Sequence, residues 1–181
     1  GNIGPAQSVE TIVETANLLQ NKSNIFFHIV GDGLNYNSCK KLAEDYKLNN
    51  VKFYGYFDVK DVVKFYELAD AFLITMVDNE VVNNTLPAKL QSYMLAGKPI
   101  YGAINGEVKR VVKEANCGAC CESYDYKKLA DIILKSYKNK EILKEWGINS
   151  LKYYNEHFEK NKCIASIEKV LYDEIDECNI V

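Results

Sequence analysis

The sequence predicts an α/β fold, a doubly wound parallel sheet with helices on both faces. Short apolar runs alternate with segments that repeat apolar side chains every three or four residues, and this alternation is typical of parallel strands joined by crossover helices. The first run, residues 25–30, has no strand-like polar alternation, which indicates a strand covered on both faces. The 181 residues suit a single domain over residues 1–181.

The elements are predicted in chain order from these patterns. Val9, Val13 and Ala16 form one apolar stripe, which predicts a first helix over residues 8–20 with Ser8 as its N-cap. The predicted strands are 25–30, 51–54, 71–74, 99–103 and 118–121. The later helices are predicted at 37–47, 59–68, 86–96, 107–115, 126–138, 140–154 and 161–176, and the last three make a helical C-terminal segment.

Charge and composition exclude several classes of partner. Lys and Arg number 22 against 25 Asp and Glu, a net charge of −3, and Arg110 is the only arginine. A chain this close to neutral has no overall attraction for nucleic acid or an anionic membrane surface. No apolar run approaches the roughly 20 residues of a membrane-spanning helix. We therefore expect neither a nucleic-acid-binding nor a membrane-embedded domain.

The six cysteines are expected to be free thiols, because a chain of this size folds without disulfides. Cys117 and Cys120 have the C-x-x-C spacing, but a zinc site needs a second pair. The motif also follows a predicted helix, whereas a redox motif begins one. His28 lies within an apolar strand and is expected to be a core residue. We predict no metal and no cofactor.

A ligand site is predicted at the carboxyl ends of the strands, where parallel α/β sheets bind their ligands. The loops there hold a set of glycines whose members could each be simple turn residues: Gly1, Gly4, Gly31, Gly33, Gly55, Gly102 and Gly106. The helix near residue 86 offers free N–H groups and a positive dipole end to an anion. Lys89 adds a charge there, unless it is only a solvated lysine. Asn84 and Thr85 either cap this helix or contact the ligand.

Three segments resemble a known family. They are residues 1–7 (GNIGPAQ), residues 51–56 (VKFYGY) with 66–71 (YELADA), and residues 85–99 (TLPAKLQSYMLAGKP). With the GDG of residues 31–33, they resemble the carboxyl-terminal, donor-binding half of GT-B glycosyltransferases of the family 4 group. The bacterial enzymes of capsule, O-antigen and exopolysaccharide assembly are the most similar. The resemblance extends from residue 1 to about residue 175, and the third segment is its most specific part.

This resemblance implies a site for a nucleotide-diphosphate sugar, with a UDP-sugar favoured. The loop that contains Asn2 and Gly4 would lie by the distal phosphate and the sugar. Gly31 and Gly33 would lie beside the nucleoside, and Tyr56 would contact the base. Lys89 would hold the diphosphate. GT-B chemistry needs no bound metal, which agrees with the prediction from the cysteines.

The sequence departs from the family pattern at two positions. Many family members carry two glutamates with seven residues between them, and counting back from Gly97 places them at Asn84 and Ser92. The second glutamate commonly holds the ribose hydroxyls, so Asn84 and Ser92 are candidate donor contacts of altered chemistry. Two alternatives stay open: a non-catalytic sugar-nucleotide-binding or interaction subunit, and a GT-B epimerase.

The resemblance also implies that a second half is needed for activity. In GT-B enzymes an amino-terminal domain supplies the acceptor site and the catalytic side chain, and no such domain is present in residues 1–181. We therefore predict no catalytic residue in this chain and no transfer by it alone. The parent protein would move a sugar from a nucleotide diphosphate to a glycan or lipid-linked acceptor in the cytoplasm. This chain would meet the inner face of the membrane only through the parent protein or that acceptor. We expect the sheet to have an incomplete edge or an open slot.

Overall fold

The structure is a computed structural model that describes residues 1–178, with side chains described as far as residue 172. Its strands are β1 (Phe27–Val30), β2 (Val51–Gly55), β3 (Phe72–Thr75), β4 (Ile100–Ala103) and β5 (Gly118–Cys121). Its α-helices are α1 (Val9–Leu19), α2 (Tyr36–Asp45), α3 (Val59–Leu68), α4 (Glu80–Asn83), α5 (Ala88–Leu95), α6 (Gly106–Glu114), α7 (Tyr126–Ser136), α8 (Lys140–His157) and α9 (Lys160–Cys178). A 3-10 turn, Pro5–Gln7, precedes α1.

The described strands pair in parallel, as predicted, but in two separate ladders. β1 pairs with β2, with Phe27 opposite Val51. β4 lies between β3 and β5, with Phe72 opposite Ile100 and Ile100 opposite Gly118. Within the described residues, β1 and β3 are not hydrogen-bonded to each other. The consequence is an opening in the middle of the β-layer.

Helices pack on both faces of β4, which confirms the predicted fold class. The side chain of Tyr101 in β4 packs among those of α1 and α7. Its neighbour Ile100 packs on the other face with Leu90 of α5 and Val108 of α6. Because successive side chains of a strand point to opposite faces, this division shows that β4 is buried between two helical layers.

The helix α5 begins two residues later than predicted and is preceded by an unpredicted helix. Pro87 is the N-cap of α5 and has extended backbone angles, so Ala88 is the first helical residue. The polar stretch before it contains α4, which Asn79 caps by accepting from the amide of Val82 at 2.9 Å. The end of α5 follows the prediction, because Gly97 has a φ of +65° that favours glycine.

The predicted cap of α1 has a different geometry. Ser8 is its N-cap, but with a left-handed backbone (φ 44°) and no hydrogen bond from its side chain to the helix amides. The buried Ser8 hydroxyl instead pairs with that of Thr11, with 2.8 Å between the oxygens. Ser8 is thus the single left-handed residue that joins the 3-10 turn Pro5–Gln7 to α1.

The expectation that His28 is a core residue is wrong. Phe27 and Ile29 are buried, whereas His28 between them is exposed and points to the opposite face of β1. Its Nδ1 lies 2.7 Å from the hydroxyl of Tyr54. The apolar residues around His28 predict a strand covered on both faces, but the described residues leave this face of β1 open.

The carboxyl-terminal helices are anchored through α8. The hydroxyl of Ser150 donates to the carbonyl of Lys98 at 2.8 Å, and Gly147 passes close to the carbonyl of Gly97. These contacts fix α8 against the end of α5. None of the helices in residues 1–178 combines the length and the apolar character needed to cross a bilayer.

The cysteines that the structure describes are free thiols, as predicted. Cys117 and Cys121 flank and end β5 in the core, and burial raises the pKa of each thiol to about 11. Burial also raises the pKa of Cys120 to about 12. Protonated thiols are poor nucleophiles and poor metal ligands, so the C-x-x-C segment is part of the packing of β5. The side chain of Cys178 lies outside the described residues.

Candidate functional site

The loop of residues 1–4 and the turn after β1 are packed directly against each other. Asn2 forms a parallel bridge with Asp32, and the amide of Ile3 donates to the carbonyl of Asp32 at 2.8 Å. Gly31 and Gly33 have φ angles of +138° and +153°. A Cβ on Gly31 would collide with the carbonyl of Gly1, and one on Gly33 with that of Ile3. The close packing of residues 1–3 therefore explains why positions 31 and 33 are both glycine.

Gln7 fastens this loop, a role that the sequence did not reveal. Its side-chain oxygen accepts from the amide of Gly4 at 3.0 Å and from the side chain of Asn2 at 3.2 Å. A Cβ on the buried Gly4 would lie about 3 Å from both side chains. Asn2 and Gly4 are thus held in one rigid loop at the carboxyl end of β1. The signal lies in the GNIGPAQ segment, whose glutamine closes the turn.

Lys89 faces this loop from the first turn of α5. It lines the same cavity as Gly1, Asn2 and Gln7. Burial lowers the pKa of Lys89. Lys89 forms no salt bridge with any described residue. An unneutralised, half-buried cation beside a helix N-terminus is suited to binding an anion.

Three other candidates near this helix, Asn84, Thr85 and Ser92, do not line the cavity that Lys89 lines. The hydroxyl of Thr85 donates to the carbonyl of Val81 at 2.6 Å, and Asn84 ends α4. Neither caps α5, so the capping alternative is wrong. Ser92 donates to the carbonyl of Ala88 within its own helix. The hydroxyls of Thr85 and Ser92 are therefore engaged in local hydrogen bonds in the unliganded chain.

Tyr56 stands at the rim of the site. It follows Gly55, whose carbonyl accepts from the amide of Gly31 at 2.8 Å. The side chain is 73% exposed, and its hydroxyl lies 3.3 Å from the carboxylate of Asp58. An exposed aromatic ring next to the turn after β1 can take a flat, apolar group against its face.

A polar cluster beyond β3 and β4 was not predicted. Asp78 accepts from the side chain of Asn83 at 2.7 Å, and this bond and one from Asn105 lower the pKa of its carboxyl. The backbone of Asn83 lies so close to Gly106 that only glycine fits there. The amide oxygens of Asn83 and Asn105 are buried without a hydrogen-bond partner among the described residues. Only the polar composition of residues 78–85 hinted at this cluster.

Arg110 is not available to a phosphate. Its guanidinium group binds the carboxylate of Glu107 at 2.8 Å and that of Glu114 on the next turn of α6. The hydrogen bond from Arg110 lowers the pKa of Glu107. Glu107 is thus a first-turn carboxylate of α6, whereas Lys89 lines the cavity beside the loop of residues 1–4.

The structure therefore brings together five of the nine candidates and leaves four apart. The shared cluster at the carboxyl end of β1 consists of Asn2, Gly4, Gly31, Gly33 and Lys89. Tyr56 borders this cluster. Asn84 ends α4, and the hydroxyls of Thr85 and Ser92 are bonded to carbonyls of the turns before them.

Comparisons with known proteins agree with this architecture. The family described as "Glycosyl transferases group 1" matches residues 1–153. The chain is 27% identical over 135 residues to the probable glycosyltransferase WbjE of Pseudomonas aeruginosa, covering 74% of this chain and 33% of that protein. It is 23% identical over 149 residues to MJ1069 of Methanocaldococcus jannaschii, described as an uncharacterized glycosyltransferase, covering 82% and 37%. The chain thus spans about a third of the length of these curated relatives.

Solved structures show the same fold. HepE of Anabaena in complex with UDP superimposes with a TM-score of 0.82 at 19% identity, covering 96% of this chain and 47% of that one. The C-terminal domain of the group 1 glycosyl transferase LpcC of Francisella tularensis gives a TM-score of 0.73 at 14% identity, covering 88% and 85%. The chain therefore belongs to the glycosyl transferases group 1 family, and its fold is that of the carboxyl-terminal domain of a GT-B glycosyltransferase.

Proposed function

We propose that this chain binds the nucleotide diphosphate of an activated sugar and is the donor-binding half of a glycosyltransferase. The observation that carries the proposal is Lys89, a half-buried cation on the first turn of α5 that faces the rigid loop of residues 1–4. The negative charge of a diphosphate would neutralise Lys89, and its oxygens accept hydrogen bonds from the first amides of a helix. Family membership supports the same ligand class.

The favoured donor is a UDP-sugar. Two solved relatives of this fold support the choice: HepE of Anabaena was crystallised with UDP, and a TarM variant of S. aureus with UDP among its ligands. In this proposal Tyr56 would contact the base, and Asn2 and Gly4 would lie by the distal phosphate. The unpartnered amide oxygens of Asn83 and Asn105 are acceptors suited to sugar hydroxyls.

This arrangement also suits the chemistry of transfer. When the acceptor oxygen forms a bond to the anomeric carbon, the bond from that carbon to the phosphate oxygen breaks and the nucleoside diphosphate leaves with the electron pair. Negative charge grows on the leaving diphosphate, so Lys89 and the N-terminus of α5 stabilise the transition state more than the ground state. The acceptor site and the acid–base group would come from an amino-terminal domain of the parent protein.

The alternative is a subunit that binds a sugar nucleotide without catalysis. It is favoured by Asn84 and Ser92, since neither is acidic and the hydroxyl of Ser92 is engaged within α5. Epimerisation within the GT-B fold is a third possibility. Assaying the full-length parent with a panel of sugar nucleotides separates the three functions. A transferase gives a transfer product, an epimerase gives a changed sugar, and a binding subunit gives no turnover.

Binding itself is tested on the chain as it stands. Calorimetric titration with UDP, UMP and uridine should give the tightest binding for UDP, because only the diphosphate reaches both Lys89 and the loop of residues 1–4. Amide chemical shifts of Gly4, Gly31 and Gly33 should move with the same saturation curve. Equal affinity for UDP and uridine would contradict a diphosphate site.

A further inference from the structure

We propose that Thr75, the last residue of β3, is a positioning residue of the donor site: its buried hydroxyl holds the loop of residues 1–4, through Gln7, at a fixed distance from Lys89. The inference rests on the proposed function, because it states how two parts of the proposed diphosphate site are kept in register. Thr75 is 3% exposed, and its hydroxyl donates to the main-chain carbonyl of Gln7 at 2.7 Å. This bond joins two positions that are 68 residues apart in the chain.

Thr75 is the polar residue of an otherwise apolar strand. Phe72 and Ile74 of β3 are buried, and their apolar side chains need no hydrogen-bond partner. A buried hydroxyl costs free energy unless it forms a hydrogen bond, so an apolar residue would serve the packing of β3 at least as well. The hydroxyl of Thr75 is therefore explained by what it binds, the carbonyl of Gln7.

Gln7 transmits this constraint to the loop of residues 1–4. Its side-chain oxygen accepts from the amide of Gly4 at 3.0 Å and from the side chain of Asn2 at 3.2 Å. One residue is thus bonded to β3 through its backbone and to the loop through its side chain. Because Asn2 and Gly4 are proposed to lie by the distal phosphate, the position of that part of the site depends on the bond to Thr75.

A second hydrogen bond and a shared core strengthen the attachment of the turn at residues 5–7. The amide of Val77 donates to the carbonyl of Ala6 at 3.0 Å. The side chain of Ala6 packs against the core cluster that contains Leu90 of α5. The turn is therefore held both to the end of β3 and to the helix that carries Lys89.

The segment after Thr75 is fixed at its other end as well. The carboxylate of Asp78 accepts from the side chain of Asn83, at the end of α4, at 2.7 Å. The amide of Asp78 donates to the hydroxyl of Tyr124 at 3.1 Å. The chain passes from α4 into α5, whose first turn contains Lys89. Residues 75–78 are thus a common support for the two parts of the proposed site.

A ligand that bridges these two parts depends on their separation. In the proposed function only the diphosphate of UDP reaches both Lys89 and the loop of residues 1–4, whereas UMP has a single phosphate. Partners that are already in place bind more tightly, because ordering them on binding costs free energy. Loss of the Thr75 hydroxyl should therefore weaken the binding of UDP more than that of UMP.

The test is a calorimetric titration of Thr75→Val with UDP and with UMP. Valine keeps the branched shape of threonine and removes the donor. We expect UDP to bind about tenfold more weakly and UMP to stay within about twofold of its original affinity. Thr75→Ser keeps the hydroxyl and should restore the affinity for UDP to within about twofold of the original value.

Thr15→Val is the matched control. Thr15 is also buried, and its hydroxyl also donates to a main-chain carbonyl at 2.7 Å, but that carbonyl belongs to Thr11 in the same helix. This change should lower the urea midpoint by an amount comparable to that of Thr75→Val and leave the affinity for UDP within about twofold. If circular dichroism shows that Thr75→Val does not fold, Thr75→Cys takes its place, since a thiol is a weak donor.

Two results would overturn the role of Thr75. One is an unchanged affinity for UDP in the folded variant that lacks the hydroxyl. The other is an equal loss of affinity for UDP and UMP, which would indicate a general loss of structure. Failure of the proposed function is distinguishable from both, because the unaltered chain would then bind UDP no more tightly than uridine, and the inference would fall with it.

Discussion

Lys89 in the first turn of α5 and Asn2 in the loop of residues 1–4 line the same cavity. Lys89 forms no salt bridge with any described residue, and burial lowers its pKa because burial disfavours the charged form. A bound polyanion would neutralise this charge and accept hydrogen bonds from the first amides of α5. This relationship is the electrostatic basis for the proposed diphosphate site.

Gly31→Ala should destabilise the fold, because Gly31 combines a φ of +138° with a position in which a Cβ would collide with the carbonyl of Gly1. We expect a loss of about 1–3 kcal/mol in the free energy of unfolding, measured by urea denaturation. Gly1→Ala is the matched control, since a Cβ there has no atom within 4 Å, and should stay within about 0.5 kcal/mol. Equal effects of the two changes would contradict the packing of residues 1–3 on Gly31.

Tyr101→Phe tests the attachment of α7 to the sheet. The buried hydroxyl of Tyr101 lies 2.6 Å from that of Ser136, which itself donates to the carbonyl of Ile132. Removing one buried hydrogen bond should cost about 0.5–1.5 kcal/mol of unfolding free energy. Tyr54→Phe, which removes the exposed contact with His28, is the control and should cost less, as urea midpoints would show.

Ser92→Ala should leave UDP affinity within about twofold of the original, because the Ser92 hydroxyl is already bonded to the carbonyl of Ala88 in its own helix. The measurement is a calorimetric titration at one pH and salt concentration. A loss of tenfold or more would show that the hydroxyl turns toward the ligand on binding, and would return Ser92 to the group of direct donor contacts.

The pH dependence of binding should identify Lys89 as the cation. Its pKa lies below the ordinary 10.5 because burial disfavours the charged form, and only the charged form attracts a diphosphate. Affinity for UDP should therefore fall as the pH rises through the lowered pKa of Lys89. In Lys89→Arg the guanidinium stays charged over this range, so the fall should flatten. Identical pH profiles would exclude Lys89 as the titrating group.

Much of the fold can be predicted from the sequence, because buried strands and buried helix faces require apolar residues at regular spacing. The run at residues 71–74 and the Gly97 helix end are local signals, and both match β3 and the end of α5. His28 escaped the same reasoning because an apolar run shows only that a strand is suited to burial, not that both its faces are covered. Here the described residues leave the face of β1 that carries His28 uncovered.

The site was predictable to a lesser degree. Lys89 follows from its place in the first turn of a helix at the carboxyl edge of the sheet. Gly31 and Gly33 were assigned to a ligand, yet residues 1–3 of the chain itself occupy the space beside them. Contacts between segments so far apart in sequence leave no periodic trace, and the cluster around Asp78 was missed for the same reason.

The central claim is tested most directly by comparing Lys89→Ala with Lys98→Ala in calorimetric titrations with UDP. A charge-assisted contact contributes about 1.5–3 kcal/mol, so Lys89→Ala should weaken binding roughly 10- to 150-fold with little change in the urea midpoint. Lys98 lies just beyond the far end of α5, where its ammonium group reaches the carbonyl of Glu67, and Lys98→Ala should change affinity by less than about twofold. Unchanged affinity in Lys89→Ala, or equal losses in both variants, would contradict a diphosphate held by Lys89 at the start of α5.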